Sequence, residues 1–235
     1  MIILIPLGGT GERFKKNGYK EPKALIKVFG KSIINYLLDS LNITDEMVYI
    51  PYNKEYEKYR LESTLRKGYP NINFKFLCLN ENTRGAAETI NIALKELELV
   101  DSPIICLDGD NFYKTDIIKK WDGKNMVFTV EDKNESAIYS YIKSDGNKVI
   151  DIIEKEKVSD YACTGAYGFE SYKKLLKYTN EIIEKKIMSK GEFYISNVIK
   201  QMIKSDIVFE YSVLDKKNWC CLGTPIQVRS FCNNN

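Results

Sequence analysis

Ile2-Ile3-Leu4-Ile5-Pro6-Leu7-Gly8-Gly9-Thr10-Gly11-Glu12-Arg13-Phe14, followed at Pro22-Lys23 by a second basic position, decides how the rest of this chain is read. An apolar run ends in a loop with three glycines, and the loop leads to an arginine and then a lysine. Glycine lets the backbone approach a phosphate closely, and consecutive N–H groups form an anion cradle. The stretch therefore reads as a strand delivering the chain to a polyphosphate. Two other phosphate loops are excluded by the letters. A dinucleotide fingerprint needs a further glycine where Phe14 stands. Gly30-Lys31-Ser32 ends like a P-loop, but Leu25 occupies the required earlier glycine position, so Phe29-Gly30-Lys31 reads as a turn.

The flanking chain supports a globular α/β protein. Its 235 residues are enough for one large domain, and 44% hydrophobic with 29% charged residues is ordinary for a soluble fold. A formal net charge of +3 is too small to argue for nucleic acid or a membrane surface as partner. No apolar run approaches a membrane span, and the N-terminus lacks the pattern of a signal peptide, so a cytoplasmic location is expected. Cys78, Cys106, Cys163, Cys220, Cys221 and Cys232 show no metal-type spacing and are expected to be reduced and mostly buried. There is no histidine, which removes that residue as general base or metal ligand.

Strand and helix signals alternate. Strands are predicted at 2–7, 47–51, 73–79 and 103–107, with helices at 32–41, 54–65 and 86–97 between them. The helix at 86–97 is expected to bury Ile90, Ile92, Ala93 and Leu97. From residue 125 the texture changes to strands at 125–130, 136–142, 149–154 and 162–169, helices at 171–178 and 194–203, and late strands at 208–212 and 219–222. Asn233–Asn235 reads as a disordered tail. This alternation predicts an α/β fold with a mixed, mainly parallel sheet flanked by helices.

Three further motifs carry chemistry. Thr83-Arg84-Gly85-Ala86-Ala87-Glu88 opens a helix with small residues, where a flat base can pack on backbone. Asp108-Gly109-Asp110 closes a buried strand, placing carboxylates where open α/β sheets bind ligands; oxygen donors suit Mg²⁺. Glu154-Lys155, Thr164-Gly165-Ala166-Tyr167 and Gly191-Glu192-Phe193-Tyr194 offer carboxylates for sugar hydroxyls and an ammonium for a phosphate.

Gly-Gly-x-Gly-x-Arg with the downstream Pro-Lys resembles the signature of the sugar-phosphate nucleotidyltransferases, the nucleotide-sugar pyrophosphorylases. The likeness covers nearly the whole chain, through to Gly223-Thr224-Pro225. It implies a Rossmann-like, GT-A-type single domain over 1–235, with a nucleotide-binding lobe at 1–130 and a sugar-phosphate-binding lobe at 131–235. It implies catalytic roles for Arg13 and Lys23. Leu7, Gly8, Gly9, Thr10, Gly11, Gly85 and Ala86 would bind the nucleotide. Asp110, with Asp108, would bind Mg²⁺, and Glu154, Lys155, Gly165 and Glu192 would bind the acceptor. The expected partners are an NTP and a sugar 1-phosphate, with UTP and an N-acetylhexosamine 1-phosphate slightly favoured; a homo-oligomer is left open. A chain ending at Asn235 is expected to lack an appended acyltransferase domain.

Three positions depart from the family pattern. Cys221 stands where a second metal-binding aspartate is usual, Ser140 where a glycine is common in the acceptor strand, and Cys163 where an asparagine often precedes Thr-Gly. Alternative readings are a cytidylyltransferase on a sugar or on a phosphate such as phosphocholine, a GT-A glycosyltransferase using Asp108-Gly109-Asp110, and a non-catalytic nucleotide-sugar-binding regulatory subunit.

Overall fold

Alternating burial dictates the first strand. In the computed structural model, which describes residues 1–234, β1 (Ile2–Leu4) turns Ile2 and Leu4 to one face of a sheet and Ile3, with the following Ile5, to the other; all four are buried. A strand apolar on both faces needs helices on both sides of its sheet.

The chain supplies them in alternation. After the short α1 (Glu12–Lys15), a hairpin of β2 (Lys27–Val28) and β3 (Lys31–Ser32) turns at Phe29 and Gly30, with φ of 48° and 78°. This is the turn predicted there. α2 (Ile33–Ser40) leads to β4 (Met47–Asn53), α3 (Leu61–Gly68) to β5 (Asn73–Leu79), and α4 (Ala86–Lys95) to β6 (Ile104–Leu107). Then come β7 (Asn111–Tyr113), α5 (Ile117–Lys120), β8 (Met126–Glu131), β9 (Ser140–Asp145), β10 (Lys148–Glu154) and β11 (Tyr161–Phe169). The chain continues with α6 (Tyr172–Glu184), α7 (Ile195–Lys204), β12 (Glu210–Leu214), β13 (Trp219–Cys221) and α8 (Pro225–Asn233).

Nine strands form one sheet in the order β5-β4-β1-β6-β11-β8-β12-β10-β9. Strands β5, β4, β1 and β6 are mutually parallel. β11 runs antiparallel to both β6 and β8, β12 is parallel to β8, and β10 is antiparallel to β12 and β9. The mixed, helix-flanked sheet is the architecture expected, with its parallel pairing concentrated in the first four strands. Helices α4, α6 and α7 cover one face and α2, α3 and α5 the other. A smaller core of Phe14, Ile26, Val28, Ile33, Phe112, Leu222 and Val228 lies under α8. The carboxyl ends of β1, β4 and β6 open together on one edge, where α/β sheets bind ligands.

Several local expectations are corrected. The helix predicted at 54–65 is broken at Arg60, where φ is 52°; a 3₁₀ segment (Lys54–Tyr59) precedes α3. The break rephases the chain so that Tyr56 as well as Leu61 and Leu65 are buried. In α4, Ile92 is exposed, and Asn91 is buried instead. Its Nδ2 donates to Thr179 Oγ1 (3.0 Å) and Asn180 Oδ1 (2.8 Å), a polar joint with α6. Only Cys106 and Cys163 of the six free cysteines are buried, and Cys232 is exposed. Residue Asn233 ends α8 rather than starting a tail, because Thr224 caps the helix and Pro225 sits in its first turn; Asn235 lies outside the described residues. No helix among the described residues is long and apolar enough to cross a membrane.

Candidate active site

Leu7 belongs to the sheet. Its N–H donates to Pro51 O (2.8 Å) and its carbonyl accepts from Asn53 N–H (3.0 Å), so its backbone is consumed by pairing with β4. The four residues that follow differ. Among the described residues, the N–H groups of Gly8, Gly9, Thr10 and Gly11 donate to no other backbone or side-chain group. The loop thus offers four consecutive amides, whereas the Leu7 N–H is taken by the sheet. Gly8 packs against the Thr83 and Thr89 hydroxyls, which lie 2.6 Å apart. Gly11 starts α1, which places the Arg13 side chain in solvent.

Gly85 and Ala86 begin α4 directly against the segment Glu192–Tyr194. Gly85 takes φ 130°, and a Cβ there would lie 2.5 Å from Phe193 O. Phe193 N–H donates to Arg84 O (2.7 Å), and Phe193 O accepts from Ala87 N–H (3.0 Å). The predicted base segment and the predicted acceptor segment are thus laced together by main chain, which only glycine permits at this approach.

The aspartates sit at the end of β6. Gly165, at φ 80°, bulges β11 toward them: its carbonyl accepts from Asp108 N–H (2.8 Å), and a Cβ would lie 2.6 Å from Asp108 Oδ2. Tyr113 Oη and Trp219 Nε1 both donate to Thr164 O, at 3.0 and 3.1 Å, and hold the bulge. Lys23 Nζ donates to Asp110 Oδ2 at 2.7 Å, and Asn111 Nδ2 donates to Asp110 Oδ1 at 3.0 Å. Burial alone would lower the Lys23 ammonium's pKa; Asp110 outweighs it and raises it. The Asp108 carboxyl is pushed up to about 7 by burial and then by Asp110, with Lys23 acting the other way.

A cation fits beside this pair, since Lys23 already places one on Asp110. The two carboxylates offer hard oxygen donors suited to Mg²⁺. No group of three or more His, Cys, Asp or Glu is arranged for a metal among the described residues. Cys221, near Asp110, contributes a soft thiol, pushed up by burial and then by that carboxylate. Asp110 and Asp108 are therefore the hard oxygen donors that this place offers a cation.

The residues expected at the acceptor form a third group. One oxygen of Glu154, at the end of β10, accepts from the Ser196 hydroxyl at 3.1 Å and from that of Ser140. Lys155 follows with φ 52°; its Nζ donates to Tyr194 Oη (2.5 Å) and stands 4.7 Å from that ring's centroid. Burial raises the pKa of the Tyr194 phenol, Glu192 and Glu154 add to this, and Arg13 opposes it. Glu192 is exposed in the turn closed by Ser189.

All three groups therefore share one edge of the sheet. Tyr194, Ser140 and Ser196 were absent from the sequence-derived site. Tyr194 was visible within Gly191–Tyr194, whereas nothing in the sequence marked the hydroxyl of Ser196.

The sequence profile of the nucleotidyl transferase family matches residues 2–233. The bifunctional protein GlmU of Methanocaldococcus jannaschii is 28% identical over 211 residues, covering 88% of this chain and 48% of that relative. The chain thus spans about half the length of the GlmU relatives it matches. The UTP–glucose-1-phosphate uridylyltransferase AglF of Haloferax volcanii is 24% identical over 218 residues, covering 87% of this chain and 84% of the relative. The nucleoside-diphosphate-sugar pyrophosphorylase structure from Vibrio cholerae superposes with a TM-score of 0.86 at 22% identity, covering 99% of this chain and 100% of the other. With the Gly8–Gly11 loop and the aspartates on one sheet edge, and the family's profile matching residues 2–233, the chain belongs to the nucleotidyl transferase family.

Proposed function

We propose that this protein condenses an NTP with a sugar 1-phosphate to give an NDP-sugar and pyrophosphate. The observation that carries the reading is the unpaired N–H run of Gly8–Gly11 on the same sheet edge as Lys23, Asp110, Asp108 and Lys155. A phosphate oxygen of the sugar phosphate attacks the α-phosphorus, a new P–O bond forms, and the bond to the β-phosphate oxygen breaks as pyrophosphate leaves. The nucleophile is already an anion, so the chain needs no histidine base. Its task is to align two polyanions and neutralise developing charge.

In this reading the Gly8–Gly11 amides and Arg13 hold the β- and γ-phosphates. Gly85 and Ala86 meet the base. Lys23 moves from Asp110 to phosphate oxygens when the nucleotide arrives. Asp110 and Asp108 would hold Mg²⁺, which would supply positive charge to offset that of the phosphates. Glu154 and Glu192 accept from acceptor hydroxyls, and Lys155 pairs with the acceptor phosphate.

UTP is the donor proposed first, since AglF is named for UTP and glucose 1-phosphate; N-acetylhexosamine 1-phosphates join glucose 1-phosphate as acceptors. The test is pyrophosphate release with four NTPs against a panel of sugar 1-phosphates and phosphocholine in Mg²⁺. Release with a sugar 1-phosphate is expected; release with none would contradict the reading.

A further inference from the structure

The Glu154 carboxylate is held more tightly than its neighbours. Its side chain is 6% exposed, and its Oε2 accepts two hydrogen bonds, one from Ser140 Oγ on β9 and one from Ser196 Oγ on α7 at 3.1 Å. Both serines are buried. A carboxylate can only accept, so the single proton of Ser140 goes to Glu154. Two elements, β9 and α7, thus direct O–H groups toward one carboxylate oxygen. The other oxygen, Oε1, stands 3.9 Å from Lys155 Nζ, too far for a hydrogen bond and on the side of the acceptor lysine.

We infer that Ser140 and Ser196 are positioning residues for the acceptor: they fix Glu154 so that Oε1 alone is presented to an acceptor hydroxyl beside Lys155. The inference rests on the proposed nucleotidyl transfer to a hydroxyl-bearing phosphate. Free rotation of the carboxyl would let either oxygen face the pocket and would lose entropy on every binding event. Saturating Oε2 removes that freedom before the acceptor arrives. It also selects the acceptor: one hydrogen-bond acceptor at a fixed point asks for one hydroxyl donor at a matching distance from the phosphate. Ser140 makes this a property of this chain, because a glycine there would leave Oε2 with Ser196 alone.

The experiment measures steady-state constants for the best sugar 1-phosphate of the panel with Ser140→Ala, Ser196→Ala and Ser140→Thr, each also in a Glu154→Ala background, with thermal melting of every variant. Each alanine variant should raise KM for the sugar phosphate about tenfold, the effect of one hydrogen bond to a charged group. The kcat and the KM for the NTP should stay within about twofold. Ser140→Thr, which keeps the hydroxyl and suits a strand, should restore the wild-type KM. In the Glu154→Ala background the serine substitutions should change nothing further. An unchanged KM in both alanine variants, or the same loss with and without Glu154, would overturn the clamp while leaving the reaction in place. Absence of turnover by the unsubstituted enzyme with every sugar 1-phosphate would overturn the acceptor reading and the clamp with it.

Discussion

Lys23 and Asp110 are 87 residues apart in sequence and 2.7 Å apart in space. Each was legible as a residue type at a strand end or after Pro22, but their pairing was not, because only the fold brings them together. Arg13→Ala and Asp110→Asn should each reduce turnover about 10²–10³-fold with little change in melting temperature, since Arg13 is exposed and Asp110 lies at the site rather than in the core. Wild-type kcat/KM in either variant would remove that residue from the mechanism. Asp108 makes a separate prediction for the metal-free protein. Its carboxyl, shifted from 3.8 to about 7, keeps a proton in the folded state that the unfolded chain releases near 3.8. The folded state binds more protons in that window, so this group's contribution to stability is greatest at low pH and is lost as pH rises through about 7. Asp108→Asn should therefore lose less stability than the wild type between pH 5 and pH 8, measured as urea midpoints. Equal losses in the two proteins would contradict the shift.

The predicted strand at 73–79 matches β5 residue for residue, and the predicted helix at 32–41 ends one residue either side of α2. Such elements carry their own periodicity. Those that escaped sequence reading depend on partners. β7 is three residues long and exists by pairing with β13; Arg60 breaks a helix because Tyr56 on one side and Leu61 on the other must both be buried. The joint between the α4 start and Phe193 belongs to this class. Gly85→Ala should force Phe193 O away from a 2.5 Å contact and break the two main-chain hydrogen bonds there. The expected cost is about 2–3 kcal/mol of unfolding free energy, together with weaker binding of both substrates, read by urea melts and by KM for each. A stability within about 0.5 kcal/mol of the wild type would show that the joint yields at little cost.

At the scale of the molecule, one sheet carries the whole arrangement. The parallel strands β5-β4-β1-β6 bring the Gly8–Gly11 loop, Gly85 and the aspartates to a common edge, and β11, bulged at Gly165, comes up to Asp108. The glycine loop and the acidic turn were readable from letters because backbone amides and carboxylates act through local geometry. The Glu154 clamp and the Lys155–Tyr194 pair were not, because they join β9, β10 and α7 across the fold. The central claim is that these parts serve two phosphorylated substrates in one transfer. It is tested most directly by following UTP and the sugar 1-phosphate panel in Mg²⁺ by ³¹P NMR. The account predicts equimolar growth of pyrophosphate and an NDP-sugar diphosphate signal from at least one pair, with loss of both in Asp110→Asn. Release of inorganic phosphate without pyrophosphate, or no change with any NTP and sugar 1-phosphate, would contradict it.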